Sequence, residues 1–281
     1  MQFKCSVWSD YFCMFPVEEA VRRLNSAGFS YSELSINHTQ TLLNRGGDPV
    51  KTGEEIQKYI KEIDFSIPQG HLSFKKGLCS AEARDDLKRE IDLFLGIGIN
   101  NAIIHVNGGV KLDEQERFDC RVQALSELAQ YIKGTPLRLC IENLGSVPET
   151  HTVERIRKFI DAIDSDQLKI CLDTGHLHLV NGLGQVELSQ GDFIRQAGKD
   201  LCAMHVTNNS GGADVHLMPF SSRYGIDWKD VMTALRDIQY DGLFNLEILG
   251  ENKAPLPILE AKLTYISQMV RYMTSQEFLN A

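Results

Sequence analysis

Leu168-Lys169-Ile170-Cys171-Leu172-Asp173-Thr174-Gly175-His176 is an apolar run that stops at a carboxylate and passes, through one Thr-Gly step, to an imidazole. The run reads as a buried strand with Asp173 at its end and His176 one helical turn beyond. Those two side chains can converge on one point. A divalent cation most often occupies such a point, because carboxylate oxygen and imidazole nitrogen both ligate zinc, manganese and related ions. An Asp-Thr-Gly turn can equally do no more than cap a helix. The rest of the chain decides.

Outward from this stretch the same grammar repeats. Phe3 to Val7 reads as a short strand, and Pro16 opens a helix carried by Val17, Ala20, Val21 and Leu24 that Gly28 ends. Tyr31 to Ile36 is a second strand, followed by a polar loop through Asp48 and a helix marked by Ile56, Tyr59, Ile60 and Ile63. Ile67 to Phe74 is the third strand, and Ser80 caps a long helix that runs to Gly98. Ala102 to Val106 is a β-branched run containing His105, and Asp113 with Glu116 forms a capping box for the next helix. Leu137 to Ile141 leads to Glu142, Leu201 to Met204 to His205, and Leu243 to Leu246 to Glu247. Helices are expected over Val153 to Ile163, Asp227 to Ile238 and Pro255 to Met273. Eight strands alternating with helices every roughly thirty to forty residues are the mark of parallel βαβ units. That predicts a closed (β/α)8 TIM barrel, with residues 1–281 as a single domain, over an open doubly wound sheet. No Gly-x-Gly-x-x-Gly turn follows the first strand, so a dinucleotide site lacks its main feature.

A net charge of −9 repels phosphate backbones, which makes nucleic acid a disfavoured partner. No stretch approaches the apolar length of a membrane span, and Met1-Gln2-Phe3-Lys4-Cys5 lacks a long apolar run after a basic start. A cytoplasmic protein without membrane contact is expected. Seven cysteines is an odd count, and Cys140, Cys171 and Cys202 fall inside apolar runs, so free thiols are expected in place of a disulfide framework.

Chemistry in such barrels gathers at the carboxyl ends of the strands. Here the third to eighth ends carry His71, His105, Glu142, Asp173, His205 and Glu247. Singly, each has an ordinary explanation: His71 or His105 as a hydrogen-bonded wall residue, Glu142 as a helix cap with Asn143. Together they need another, because carboxylates buried at close range repel unless a cation compensates them. Glu33, inside the second strand, is placed to point into the barrel and pair with a polar neighbour.

His105-Val106-Asn107-Gly108-Gly109, Ile141-Glu142-Asn143-Leu144, Cys171 to His176, Met204-His205-Val206 and Leu246-Glu247 together resemble the xylose isomerase-like TIM barrel superfamily. That superfamily groups sugar and sugar-phosphate isomerases and epimerases with endonuclease IV, of AP endonuclease family 2. The resemblance spans nearly the whole chain. It implies a divalent ion held by Glu142, Asp173, His205 and Glu247, with manganese or zinc foremost and magnesium or cobalt also suited. It further implies that Glu142 and Glu247 move protons on opposite faces of an enediolate derived from a small carbohydrate. His71, His105, His176 and His216 would contact the substrate. Trp8 and Phe74 could wall a sugar's carbon face, with core packing as their plainer role.

The same resemblance carries a second reading. Endonuclease IV holds three zinc ions, and His71, His105, Glu142, Asp173, His176, His205, Asp214, His216 and Glu247 each match one of its ligand positions. The Asp214-Val215-His216 step followed by Gly225-Ile226-Asp227-Trp228 is also similar to sugar isomerase-like members, where it is a loop over the pocket. Gripping a duplex needs Lys and Arg along the rim. The loop from Asn37 to Pro49 has only Arg45, Asn208 to Phe220 has none, and Lys75, Lys76, Lys111 and Arg223 are scattered. The expectation is therefore a metal-dependent sugar isomerase or epimerase. Hydrolysis at abasic DNA is the alternative, and a barrel that binds metal and ligand without turnover is a third. Arg223 as a phosphate anchor would make the substrate a sugar phosphate, although a solvated loop arginine is the simpler reading. Related barrels often pair, and no exposed apolar stripe decides whether a homodimer forms. His38, His151 and His178 lie away from strand ends and are read as surface or packing residues.

Overall fold

Along a strand, residues two apart share a face, and here that rule separates the rows that face into the barrel from the apolar rows that meet the helices. A computed structural model describes residues 3–250 and 254–281. Its strands are β1 (Lys4–Val7), β2 (Tyr31–Leu34), β3 (Ser66–His71), β4 (Asn101–Ile104), β5 (Arg138–Glu142), β6 (Leu168–Asp173), β7 (Leu201–Val206) and β8 (Leu243–Leu246). All pair in parallel in the order β1-β8-β7-β6-β5-β4-β3-β2. The first and second strands complete the ring side by side, where Ser32 Oγ donates to the Val7 carbonyl at 2.7 Å. The expected TIM barrel is the observed fold.

The helices among the described residues are α1 (Val17–Ser26), α2 (Ile36–Leu43), α3 (Pro49–Glu62), α4 (Ala81–Ile97), α5 (Glu114–Tyr131), α6 (Val153–Ile163), α7 (Thr174–Gly182), α8 (Gln190–Ala197), α9 (Trp228–Asp237), α10 (Leu256–Met273) and α11 (Gln276–Asn280). Their apolar faces pack on the outward residues of the sheet, such as Leu139 and Ile141 of β5 and Ile170 and Leu172 of β6, to make the main core. Inside the ring, Ile103, Cys140, Cys171, Cys202 and Ala203 form a second, compact apolar cluster. The three cysteines thus act as small hydrophobes, as expected, and burial pushes the Cys140 and Cys171 thiols well above their ordinary value.

The Asp113–Glu116 capping box is formed, and Gly98 closes α4 with φ +88°. Two expectations are corrected. The segment read as a polar loop after β2 begins with a helix, α2, whose first turn is capped by Ser35. Cys79 and Cys120 are not free thiols: they form a disulfide. The loops after β3 and β4 touch there, since a Cβ on Gly77 would stand 2.7 Å from Gly108 Cα. That close approach brings Cys79 to α5. Among the described residues, no helix is long and apolar enough to cross a membrane.

Candidate metal centre and active site

The inward rows climb in pairs: Gln69 then His71, Cys140 then Glu142, Cys171 then Asp173, Asn245 then Glu247. Each pair ends at the carboxyl-terminal mouth, so the alternation that buries the cysteines also buries the site residues. Glu142, Asp173, His205 and Glu247 offer ligand atoms within 4.8 Å of one another, and all four are buried. His205 Nδ1 lies 3.0 Å from Glu142 Oε1 and 3.2 Å from Glu247 Oε2. The two oxygens of Asp173 are differently employed. Oδ1 caps α7 by accepting from the His176 amide at 2.7 Å and from the Thr207 hydroxyl at 3.0 Å. Oδ2 is buried and makes no hydrogen bond. Asn143 braces the strand end, its Oδ1 accepting from the Asp173 amide at 2.6 Å. Three buried carboxylates, one with an unsatisfied oxygen, and an imidazole fit a divalent cation.

Imidazoles surround Glu142. His105 Nε2 is 2.7 Å and His71 Nε2 3.5 Å from Oε2, and His176 Nδ1 is 3.3 Å from Oε1. Burial alone would raise the Glu142 carboxyl, but the charge of His205 and the hydrogen bonds of His105 and His176 hold it well below the usual range. Glu247 goes the other way: burial pushes it up to about 7 despite the charge of His205 and His216. His105 is lowered to about 4 by burial, so it donates to Glu142 as a neutral ring. Their surroundings thus drive the two carboxyls in opposite directions.

His176, Asp214 and His216 form a second cluster at the rim. Asp214 Oδ2 is 3.1 Å from His176 Nε2, and Oδ1 is 3.5 Å from His216 Nε2. His216 sits in the left-handed region at φ +45° and donates from Nδ1 to the Glu247 carbonyl at 2.8 Å. Its ring stacks on Trp8 at 6.4 Å, and Phe74 stacks on His105 at 4.2 Å. Together these residues line a cavity of about 310 Å³ with Asp10, Ile36 and Asn37 on its wall. Among the described residues, Lys75 is the one Lys or Arg lining that cavity.

Every site residue read from the strand ends and from the Asp-x-His step stands in this one mouth. Trp8 and Phe74 face it and are not wholly core. Glu33 points into the barrel as expected and meets His205 Nε2 at 3.0 Å. His38 and His151 are buried packing residues. Asn143 and Thr207, which hold Asp173 in place, went unread because nothing in their local sequence distinguishes a brace from an ordinary loop residue. Asp10 comes from the turn after β1, and Ile36 and Asn37 open α2, where no metal-ligating spacing marks them.

A family model described as xylose isomerase-like TIM barrel matches residues 21–273. A D-psicose 3-epimerase of Enterocloster bolteae is 27% identical over 209 residues, covering 69% of this chain and 65% of that protein. A probable endonuclease 4 of Acholeplasma laidlawii is 24% identical over 136 residues, covering 44% and 46%. The chain thus spans less than two thirds of these curated relatives' length. A solved D-psicose 3-epimerase, crystallised in the presence of D-fructose, superimposes with a TM-score of 0.75 at 19% identity, covering 97% and 99%. A structure described as the IOLI protein with a binding zinc atom gives 0.75 at 14% identity, covering 98% and 99%.

Proposed function

We propose, since the chain belongs to the xylose isomerase-like TIM barrel family, that it is a divalent-metal-dependent isomerase or epimerase of a small neutral carbohydrate. The observation that carries this reading is the buried quartet on the floor of a narrow mouth walled by Trp8, Ile36 and Phe74. When bound by Glu142, Asp173, His205 and Glu247, a cation supplies Lewis acidity toward a carbonyl oxygen and its neighbouring hydroxyl. Glu247, which lines the cavity beside His216, is placed to take or return a carbon-bound proton. Glu142, held ionised among the imidazoles, serves the opposite face. Removal of the proton on one face and its return on the other, through a planar enediolate of the substrate, inverts the carbon next to the carbonyl. His71, His105 and His176 orient hydroxyls, and the aromatic wall excludes water from the reacting face.

The test is solvent exchange. With a ketohexose such as D-fructose or D-psicose in deuterated water, deuterium enters the carbon beside the carbonyl, and Glu247→Gln slows that entry at least about 100-fold. Undiminished exchange in the variant would place the proton chemistry elsewhere.

A second reading, abasic-site phosphodiester hydrolysis, is favoured by one observation. His71, His105 and Glu142 form one potential ligand group and His176, Asp214 and His216 another, beside the quartet. Against it stands the sparse positive charge of the mouth, where Lys75 alone among the described residues lines the cavity. Metal analysis separates the two: one tightly held ion per chain supports the isomerase, whereas three zinc ions and salt-sensitive incision of an abasic oligonucleotide support the nuclease.

A further inference from the structure

We propose that Glu33 is a positioning residue for His205: it accepts the Nε2 proton and thereby turns Nδ1, with a free lone pair, toward the cation. This rests on the metal-site reading above. Barrel interiors are usually filled by branched apolar side chains. Directly beneath this site the layer is polar instead: Ser6, Glu33, Gln69, His205 and Asn245, all fully buried. Its hydrogen bonds run in one direction. Ser6 Oγ donates to Asn245 Oδ1 at 2.8 Å, which leaves Asn245 Nδ2 to donate to Glu33 Oε2 at 3.2 Å. The Gln69 amide donates to the same oxygen, and His205 Nε2 lies 3.0 Å from it. Three donors therefore converge on one carboxylate oxygen in a place where burying an unpaired charge is costly. Packing alone does not call for such a group.

An imidazole presents a lone pair on one nitrogen when its proton is held on the other, and the partner of the protonated nitrogen fixes both choice and ring orientation. In His205 the two nitrogens face different tasks. Nε2 faces Glu33, and Nδ1 faces Glu142 at 3.0 Å and Glu247 at 3.2 Å. The His71 ring lies nearly parallel at 5.4 Å and keeps the plane of His205 from turning. Strand β2, otherwise outside the ligand set, thus reaches the centre through Glu33.

Glu33→Gln is close to isosteric. It keeps an oxygen for Nε2, removes the negative charge, and places the amide nitrogen where Oε1 now makes no hydrogen bond. Cobalt(II) affinity, measured by competition with a chromophoric chelator, should fall about 10- to 100-fold in this variant, with the far-ultraviolet circular dichroism of the metal-free protein unchanged. In the zinc-loaded wild type, imidazole ¹H–¹⁵N correlations should show the His205 proton on Nε2, shifted downfield, and Glu33→Gln should move that signal. A space-filling role would change stability and leave affinity and ring signal as they are. Wild-type affinity in folded Glu33→Gln, or a proton on Nδ1 in the zinc-loaded wild type, overturns the proposal. If the variant does not fold, the wild-type spectrum alone decides. A wild type that takes up no metal removes the metal-site reading as well, whereas metal uptake indifferent to Glu33 removes this inference only.

Discussion

Glu142 and Glu247 are the same side chain a few ångströms apart, and their surroundings drive them in opposite directions. Imidazoles on both oxygens keep Glu142 charged; Glu247, equally buried, has less compensation and rises from 4.5 to about 7. A carboxyl whose folded pKa is raised adds stability below its unfolded value, and that contribution is lost as pH climbs through the folded value. In chelator, Glu247→Gln should therefore match the wild type in thermal midpoint at pH 4.5 and exceed it at pH 8. Each kcal/mol is worth about 2–4 °C in a chain of this size. Calorimetry checks this, and equal midpoints at both pH values would mean that Glu247 is already compensated in the metal-free protein. The site's acids and imidazoles were legible in the sequence because such residues seldom end six successive strands by chance. Trp8 and Phe74 were legible only as one of two readings, wall or core, since an aromatic residue beside an apolar run looks the same whether it faces a core or a cavity.

Among the elements, α7 shows how local rules serve the site. Its first turn is built from the Asp-Thr-Gly-His stretch: Asp173 caps it, Thr174 Oγ1 donates to the Thr207 carbonyl at 2.7 Å, and Gly175 lets β7's exit pass close by. A Cβ on Gly175 would stand 2.2 Å from Thr207 Oγ1, the same hydroxyl that holds Asp173 Oδ1. Gly175→Ala should cost about 1–3 kcal/mol, read as a thermal midpoint several degrees lower, together with weaker metal uptake. Gly212→Ala, with open space around it, should behave like the wild type. If both variants match the wild type, the Gly175 contact is slack. Elements were legible in proportion to length and capping: α6 has the bounds its apolar spacing predicts. Helix α2 escaped because eight residues bearing Asn37, Thr39, Gln40 and Thr41 carry too little apolar periodicity to stand out from a loop. The Cys79–Cys120 disulfide escaped because residues 41 apart in sequence meet only through the contact of two loops.

At the scale of the whole molecule, the candidate ligands tie four consecutive strands, β5 to β8, at one end of the ring, and the polar layer beneath links them to β1, β2 and β3. A cation there acts as a brace on the barrel, because any ion that binds the folded chain alone stabilises it by mass action, about 2.7 kcal/mol at a hundred times Kd. Thermal midpoint should therefore rise with the logarithm of free manganese or zinc and fall back in chelator. Asp173→Asn makes the origin of that rise specific. Asparagine keeps an oxygen for the His176 amide and the Thr207 hydroxyl, so α7 stays capped, but it removes the charge and the unsatisfied oxygen that Asp173 now holds toward the cluster. In chelator the variant should melt within a few degrees of the wild type, and added metal should restore little of the wild type's increment. An equal increment in both would mean that the ion braces the fold from another place, the His176–Asp214–His216 cluster being the next group able to hold one.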